Sequence, residues 1–242
     1  MPGPTKKTVG LEMPDDFPCS PYDAIHKRVS GRFQNPSDLL DQYLGAWNAI
    51  AYRFASCTAH DTRFTETTRR VAGSPGHEDR YVQDDALFGF FVTGLSSIES
   101  FFYGLHAIAA VINGGAFPMQ TEGERRKVTP EKTIDRFASA FPADSILIAF
   151  NQIGARNPQQ PNQWLDTPAY GEWKSARNIL AHRVAPGRIL YGTTAPIPTP
   201  DAVVKELNIP INETTTSGRR QWLASTLTAL MQAAENFASS RL

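Results

Sequence analysis

Apolar residues along the chain recur mostly at helical spacing. Asn35-Pro36 opens the first long run, with a capping side chain followed by Pro at a first turn. Leu40, Tyr43, Trp47, Ile50, Phe54, Cys57 and Phe64 then return at three- and four-residue steps. That spacing predicts one amphipathic helix, closed by Gly73-Ser74-Pro75-Gly76. A second helix is expected from about Glu78 to Asn113. One of its stripes is Leu87, Phe91, Leu95, Ile98, Phe102, Leu105, Ala109 and Ile112, and the other is Phe90, Phe101, Ile108 and Val111. A helix apolar over most of its girth belongs in a core or an oligomer interface. Its length suffices for a membrane span, but Ser96, Ser97, Glu99 and Ser100 sit at its centre, which argues against that reading.

Thr129-Pro130 starts a shorter helix that stops by Phe141-Pro142, and residues 144–152 suggest another. Residues 157–163, NPQQPNQ, read as a polar loop. Thr167-Pro168 opens a helix running to Pro186-Gly187. Residues 188–216, with Pro196, Pro198, Pro200 and Pro210, read as irregular apart from one helical turn near 201–207. The last helix spans about 218–240 on Leu223, Leu227, Leu230, Ala234 and Phe237. Residues 1–34 contain five prolines and no helical period, so they read as an extended or disordered arm. The expected architecture is all-α: an up-and-down bundle of four main helices with short extra helices, formed by residues 35–242 as a single domain.

Composition narrows the function. In 242 residues, 24 basic and 24 acidic side chains cancel, which disfavours a non-specific DNA coat. The same neutrality leaves self-association unopposed by charge. Two cysteines, Cys19 and Cys57, exclude a disulfide scaffold, and the N-terminal stretch has no apolar run of the kind a signal peptide carries. A cytoplasmic protein is expected.

Phosphate-binding glycine loops, the G-x-S-x-G elbow and H-E-x-x-H are absent from the sequence. No Glu is followed three residues later by His, against a dimetal bundle. Cys57 and His60 form at most half of a metal site. No metal or cofactor is expected.

The informative segment is EWKSARNILAHRVAPG, 172–187. On a helix, Ala169, Trp173, Ala176, Leu180 and Val184 make its apolar stripe. Ser175, Asn178 and His182 fall on the opposite face, with Arg177 on the flank. An outward His beside an Asn and near an Arg can do acid–base work, since an ordinary imidazole titrates close to neutrality.

Arg177-Asn178-Ile179-Leu180-Ala181-His182 resembles the R-x(4–6)-H signature of HEPN domains, including the polar residue after the Arg. SSIESFF, 96–102, is similar to that family's earlier bundle helix. Two further Arg–His pairs share the spacing, Arg53 to His60 and Arg70 to His77. The first follows its Arg with Phe54 in the opening helix, and the second crosses Gly73-Ser74-Pro75-Gly76. The resemblance, over residues 36–242, implies a helical homodimer with two motifs at one composite site. It also implies metal-independent endoribonuclease activity on single-stranded RNA, of the kind found in toxin–antitoxin and phage-defence systems.

In that reading the ribose 2′-OH attacks the adjacent phosphorus. His182 is general base or general acid, Arg177 binds the phosphate, and Asn178 orients the ring or a phosphate oxygen. Glu99 supports the site by pairing with Arg177, or else serves a purely structural hydrogen bond. His106, two turns further along the same helix, is expected as a satisfied core residue. An antitoxin or regulatory protein is an expected partner, although the Tyr that usually stands two residues after the motif His is here Val184. The alternative is a non-catalytic HEPN-like module that binds RNA, nucleotide or a protein. Arg69-Arg70, Arg125-Arg126-Lys127 and Arg219-Arg220 are surface patches, or, if they converge, a track for an RNA backbone.

Overall fold

The computed structural model describes residues 7–33, 35, 37–71, 75–182, 188–190, 202–204 and 209–242. In chain order the elements are β1 (Lys7–Thr8), β2 (Leu11–Glu12), α1 (Cys19–Ser30), α2 (Asp38–Val71), α3 (His77–Ile112), α4 (Glu122–Arg125) and α5 (Pro130–Ala140). They continue as α6 (Ile146–Phe150), β3 (Gly154–Asn157), β4 (Gln160–Asp166), α7 (Pro168–His182), β5 (Arg188–Leu190), β6 (Ala202–Val204), β7 (Ile209–Ile211) and α8 (Ser217–Arg241). The fold is an all-α helical bundle, as the periodicity predicts. Its strands form two hairpins and one three-stranded sheet of order β5-β6-β7.

Contacts divide the chain into two compact units. The first comprises Met1–Arg53, Ser96–Thr167 and Ala224–Leu242, and the second comprises Phe54–Leu95 and Pro168–Leu223.

The first unit corrects the expectation of an N-terminal arm. β1 and β2 pair through a two-residue turn, with Thr8 opposite Leu11. Val9 and Gly10 both adopt positive φ, at 47° and 78°, as a primed hairpin turn requires. α1 follows, and its Tyr22, Ile25 and Val29 are buried. The prolines permit this helix: Pro18 precedes it and Pro21 sits in its first turn, where no intrahelical N–H is needed. Tyr22 Oη donates to the Trp47 carbonyl at 3.1 Å, and Trp47 Nε1 donates to the Tyr22 carbonyl at 3.2 Å. Tyr22, Trp47 and Tyr43 stack with centroids 5.5 Å apart. A second aromatic group joins Phe137 to Phe117, Phe150 and Phe237 at 5.0–5.5 Å. Residues 157–163, expected as a loop, instead contribute to the β3–β4 hairpin, in which Arg156 faces Trp164. Asp135 of α5 binds the Arg156 guanidinium and fixes that hairpin to the bundle. α2 begins after Ser37, whose Oγ accepts the Leu40 N–H at 3.2 Å, so Ser37 rather than Asn35 caps it.

In the second unit, Trp173 of α7 packs against Phe90 and Phe91 of α3, at 4.8 and 5.1 Å between centroids. A Cβ on Gly94 would lie 2.4 Å from the Trp173 ring and 3.0 Å from Cys57 Sγ, so the indole occupies a slot that only glycine leaves open. The helical turn expected near 201–207 is corrected in part: residues 202–204 are strand β6, paired with β5 and β7. Pro210 is accommodated because β7 is an edge strand. The expected helix end at Pro186-Gly187, the glycine turn at 73–74 and Pro196, Pro198 and Pro200 lie outside the described residues.

α3 is long and apolar enough to cross a bilayer by length and composition, but 67% of its most apolar window is buried inside the fold. It serves as a core helix, which also accounts for the apolar residues around most of its circumference.

Candidate functional site

Candidate residues Arg177, Asn178 and His182 all stand on α7 in the second unit. The inner side of α7 is set by Tyr170, Trp173 and Ala176, each buried to 2% exposure or less. Burying the Trp173 indole makes this the most strongly seated part of the helix. α7 is also tied at its first turns: Arg219 of α8 donates to Glu172 Oε1 at 2.7 Å through Nε, and again through Nη2. Ser175 and Asn178 are exposed on the outer side, and Arg177 is half-buried between the two. For Trp173, Ala176, Ser175 and Asn178 this agrees with the helical wheel expected from the sequence, and Tyr170 joins the buried side in addition. His182 closes α7, and its side chain lies outside the described residues, as does Val184.

Glu99 is half-buried on the stretch of α3 that belongs to the first unit. His106, on the same stretch, is a core residue as expected. Its Nδ1 lies 3.2 Å from Thr133 Oγ1, and Phe117 meets its ring edge-on at 5.1 Å. Burial first, then the nearby Arg136 guanidinium, push its pKa down from 6.5 to about 4, so it is neutral at pH 7.

The two Arg–His pairs that share the motif's spacing are engaged elsewhere. Arg53 donates to the Ser96 carbonyl at 3.0 Å and to Ser100 Oγ. Arg70 pairs with Asp79. The His60 ring lies flat enough on α3 that a Cβ on Gly89 would stand 2.2 Å from its Cε1. Burial lowers the His60 pKa, opposed by Asp85 and assisted by Arg63. Cys57 is fully buried, and its thiol donates to the Phe90 carbonyl at 3.5 Å. Among the described residues no three His, Cys, Asp or Glu side chains converge as metal ligands.

The basic clusters resolve as ion pairs. Arg69 binds Glu213, Arg70 binds Asp79, Arg219 binds Glu172, and Arg220 binds the nearly buried Asp61. In the first unit Arg125 binds Asp38 and Arg126 binds Glu122. Among these, only the Arg220–Asp61 pair has a nearly buried carboxylate; the Arg69, Arg70 and Arg126 pairs lie at the surface, where an ion pair is weak and can exchange partners. Sequence reasoning missed the residues that hold the candidate helix, Glu172 with Arg219 and Gly94 under Trp173. The glycine in an otherwise bulky run, FFVTGLSS, is the signal that could have revealed a close approach.

No family model, curated protein or solved structure matches this chain.

Proposed function

We propose that the protein is a metal-independent endoribonuclease of the HEPN type, cutting single-stranded RNA by attack of a ribose 2′-OH on the adjacent phosphorus. Arg177 binds the scissile phosphate and stabilises charge on its oxygens, His182 transfers the proton, and Asn178 orients the ring or a phosphate oxygen. Two copies supply one composite site as a cytoplasmic homodimer, with an antitoxin or regulatory protein as a further partner. The observation that carries the reading is the seating of α7: its buried side is locked by Trp173, which leaves Asn178 exposed one turn before His182, with Arg177 half-buried on the flank. Rigid presentation of this kind is what a positioned phosphate clamp and proton carrier need.

The test is cleavage of mixed-sequence single-stranded RNA in EDTA by the parent protein and by Arg177→Ala, Asn178→Ala and His182→Ala. The expected result is 2′,3′-cyclic phosphate ends, with cleavage reduced at least a hundredfold in the Arg and His variants. Glu99→Gln tests the supporting carboxylate, with a smaller loss expected. Equal cleavage by all variants sinks the assignment.

One observation favours a second reading, a non-catalytic HEPN-like module. The arginines at 69, 70, 125, 126, 219 and 220 each face a carboxylate partner rather than an open basic surface, which suits a protein or a single nucleotide as partner. RNA neither cut nor bound by the dimer supports it.

A further inference from the structure

α3 ends in a sequence with chemistry of its own. Asn113, Gly114 and Gly115 follow its last residue, Ile112, and all three are exposed. Of the asparagines in the chain, Asn113 alone precedes a glycine. The Asn113 N–H closes the helix on the Ala109 carbonyl at 2.8 Å. Its carbonyl then accepts the N–H groups of Ala116 and Phe117 at 3.2 and 3.1 Å, and its side-chain Oδ1 accepts the Ala116 N–H again at 3.2 Å. One residue thus ends a 36-residue helix and caps the turn that follows it.

Several features leave this side chain open to attack by its own backbone. Among the described residues the Gly114 N–H has no hydrogen-bond partner, so no ladder holds that nitrogen in place. Gly114 also has no Cβ to hinder the approach of its nitrogen to Asn113 Cγ. The Ala116 N–H draws electron density from that carbon through Oδ1. It restrains the amide only weakly, because it is shared between two acceptors and neither bond is short. The turn lies at a helix end, where local opening takes little of the global stability.

We infer that Asn113 is a site of spontaneous deamidation. The Gly114 nitrogen gives up its proton and bonds to Asn113 Cγ, the Cγ–Nδ2 bond breaks, and the amide nitrogen leaves as ammonia with that proton. Water then opens the resulting succinimide ring. Opening at Cγ leaves an aspartyl residue. Opening at the main-chain carbonyl leaves an isoaspartyl residue, whose chain runs on through Cβ and Cγ. The sum is amide plus water to carboxylate plus ammonium, with no cofactor. Both products put a negative charge at the negative pole of α3. The isoaspartyl product also takes the carbonyl that received Ala116 and Phe117 out of the main chain. Phe117 is fully buried, edge-on to His106 at 5.1 Å and to Phe137 at 5.0 Å, so its seat in the first unit loosens. The site involves none of Arg177, Asn178 and His182, so it stands or falls independently of the nuclease reading.

Peptide mapping by mass spectrometry tests this, on the full chain held at pH 8 in native buffer and in urea. Asn113 in the native protein is expected to convert within about tenfold of its rate in urea, giving both isomers. Asn212 is an internal control: it is exposed and its Oδ1 also accepts a backbone N–H, from Thr214, but Glu213 follows it, so it should stay intact. Gly114→Ala should slow the reaction about tenfold or more. A Cβ at that position meets only the Ala110 carbonyl oxygen, at 3.4 Å, so this variant keeps the fold. Urea midpoints of parent and Gly114→Ala samples aged together should then diverge, with the parent's falling. The inference is overturned if native Asn113 outlasts the unfolded chain by more than about tenfold, if Gly114→Ala converts as fast as the parent, or if a fully converted parent keeps its midpoint.

Discussion

His106 and Gly94 show how much a single side chain, or the lack of one, contributes to this fold. His106 is held neutral, with its pKa near 4 in the folded protein against 6.5 when exposed. Between those values the unfolded chain binds a proton that the folded chain refuses. Stability therefore rises with pH across that window and is lost as pH falls from about 6.5 towards 4, by about 3 kcal/mol from this residue. Urea midpoints at pH 7 and pH 4.5 should show that loss, and His106→Gln should flatten it. At Gly94 the expected effect is steric. Gly94→Ala drives a methyl into the Trp173 ring, and because Trp173 is fully packed it cannot swing clear. A destabilisation of about 1–3 kcal/mol is expected in urea titration, with a change in tryptophan fluorescence as the indole is displaced. If Gly94→Ala unfolds at the parent's midpoint, the slot is looser than the distances indicate.

Among the elements, α2, α5, α7 and α8 were legible because each buries one side and exposes another, which prints a 3.6-residue period on the sequence, whereas α3 was legible as a long apolar run because it is buried around most of its circumference. α1 was hidden by its prolines, read as breakers although they occupy the start of a helix. β3 and β4 were hidden for a different reason. Most of their residues are exposed, so no apolar alternation marks them, and Asp135 with Arg156 holds them from outside. The outward residues of α7 were legible from the wheel, but its anchors were not, because Glu172–Arg219 joins residues 47 apart in sequence. α1 is integral, since Tyr22 and Trp47 exchange hydrogen bonds and stack. Tyr22→Phe should cost about 1 kcal/mol in urea titration. Ile25→Ala, fully buried, should cost about 2–5 kcal/mol. A disordered arm would make both changes silent.

At the scale of the whole molecule the charge distribution decides how it meets a polyanion. The net charge is zero, and six arginines of the basic clusters are bound to carboxylates. RNA binding should thus depend weakly on salt, with a slope equivalent to about one to three phosphates. Measuring affinity for a non-cleavable 2′-deoxy strand from 50 to 200 mM salt checks this. A slope of six or more would mean that many of the 24 Lys and Arg side chains, these six or others, contact the strand.

The segmented first unit also has a consequence for biosynthesis. Phe237 packs on Phe137 and Phe141, yet a hundred positions separate Phe137 from Phe237 in the order of translation. Most of α8 must leave the ribosome before that aromatic group can close. Until then Phe137 and Phe141 have only Phe117, Phe150 and each other for cover, and the side that Phe237 closes stays apolar and open, which favours aggregation when synthesis stalls late.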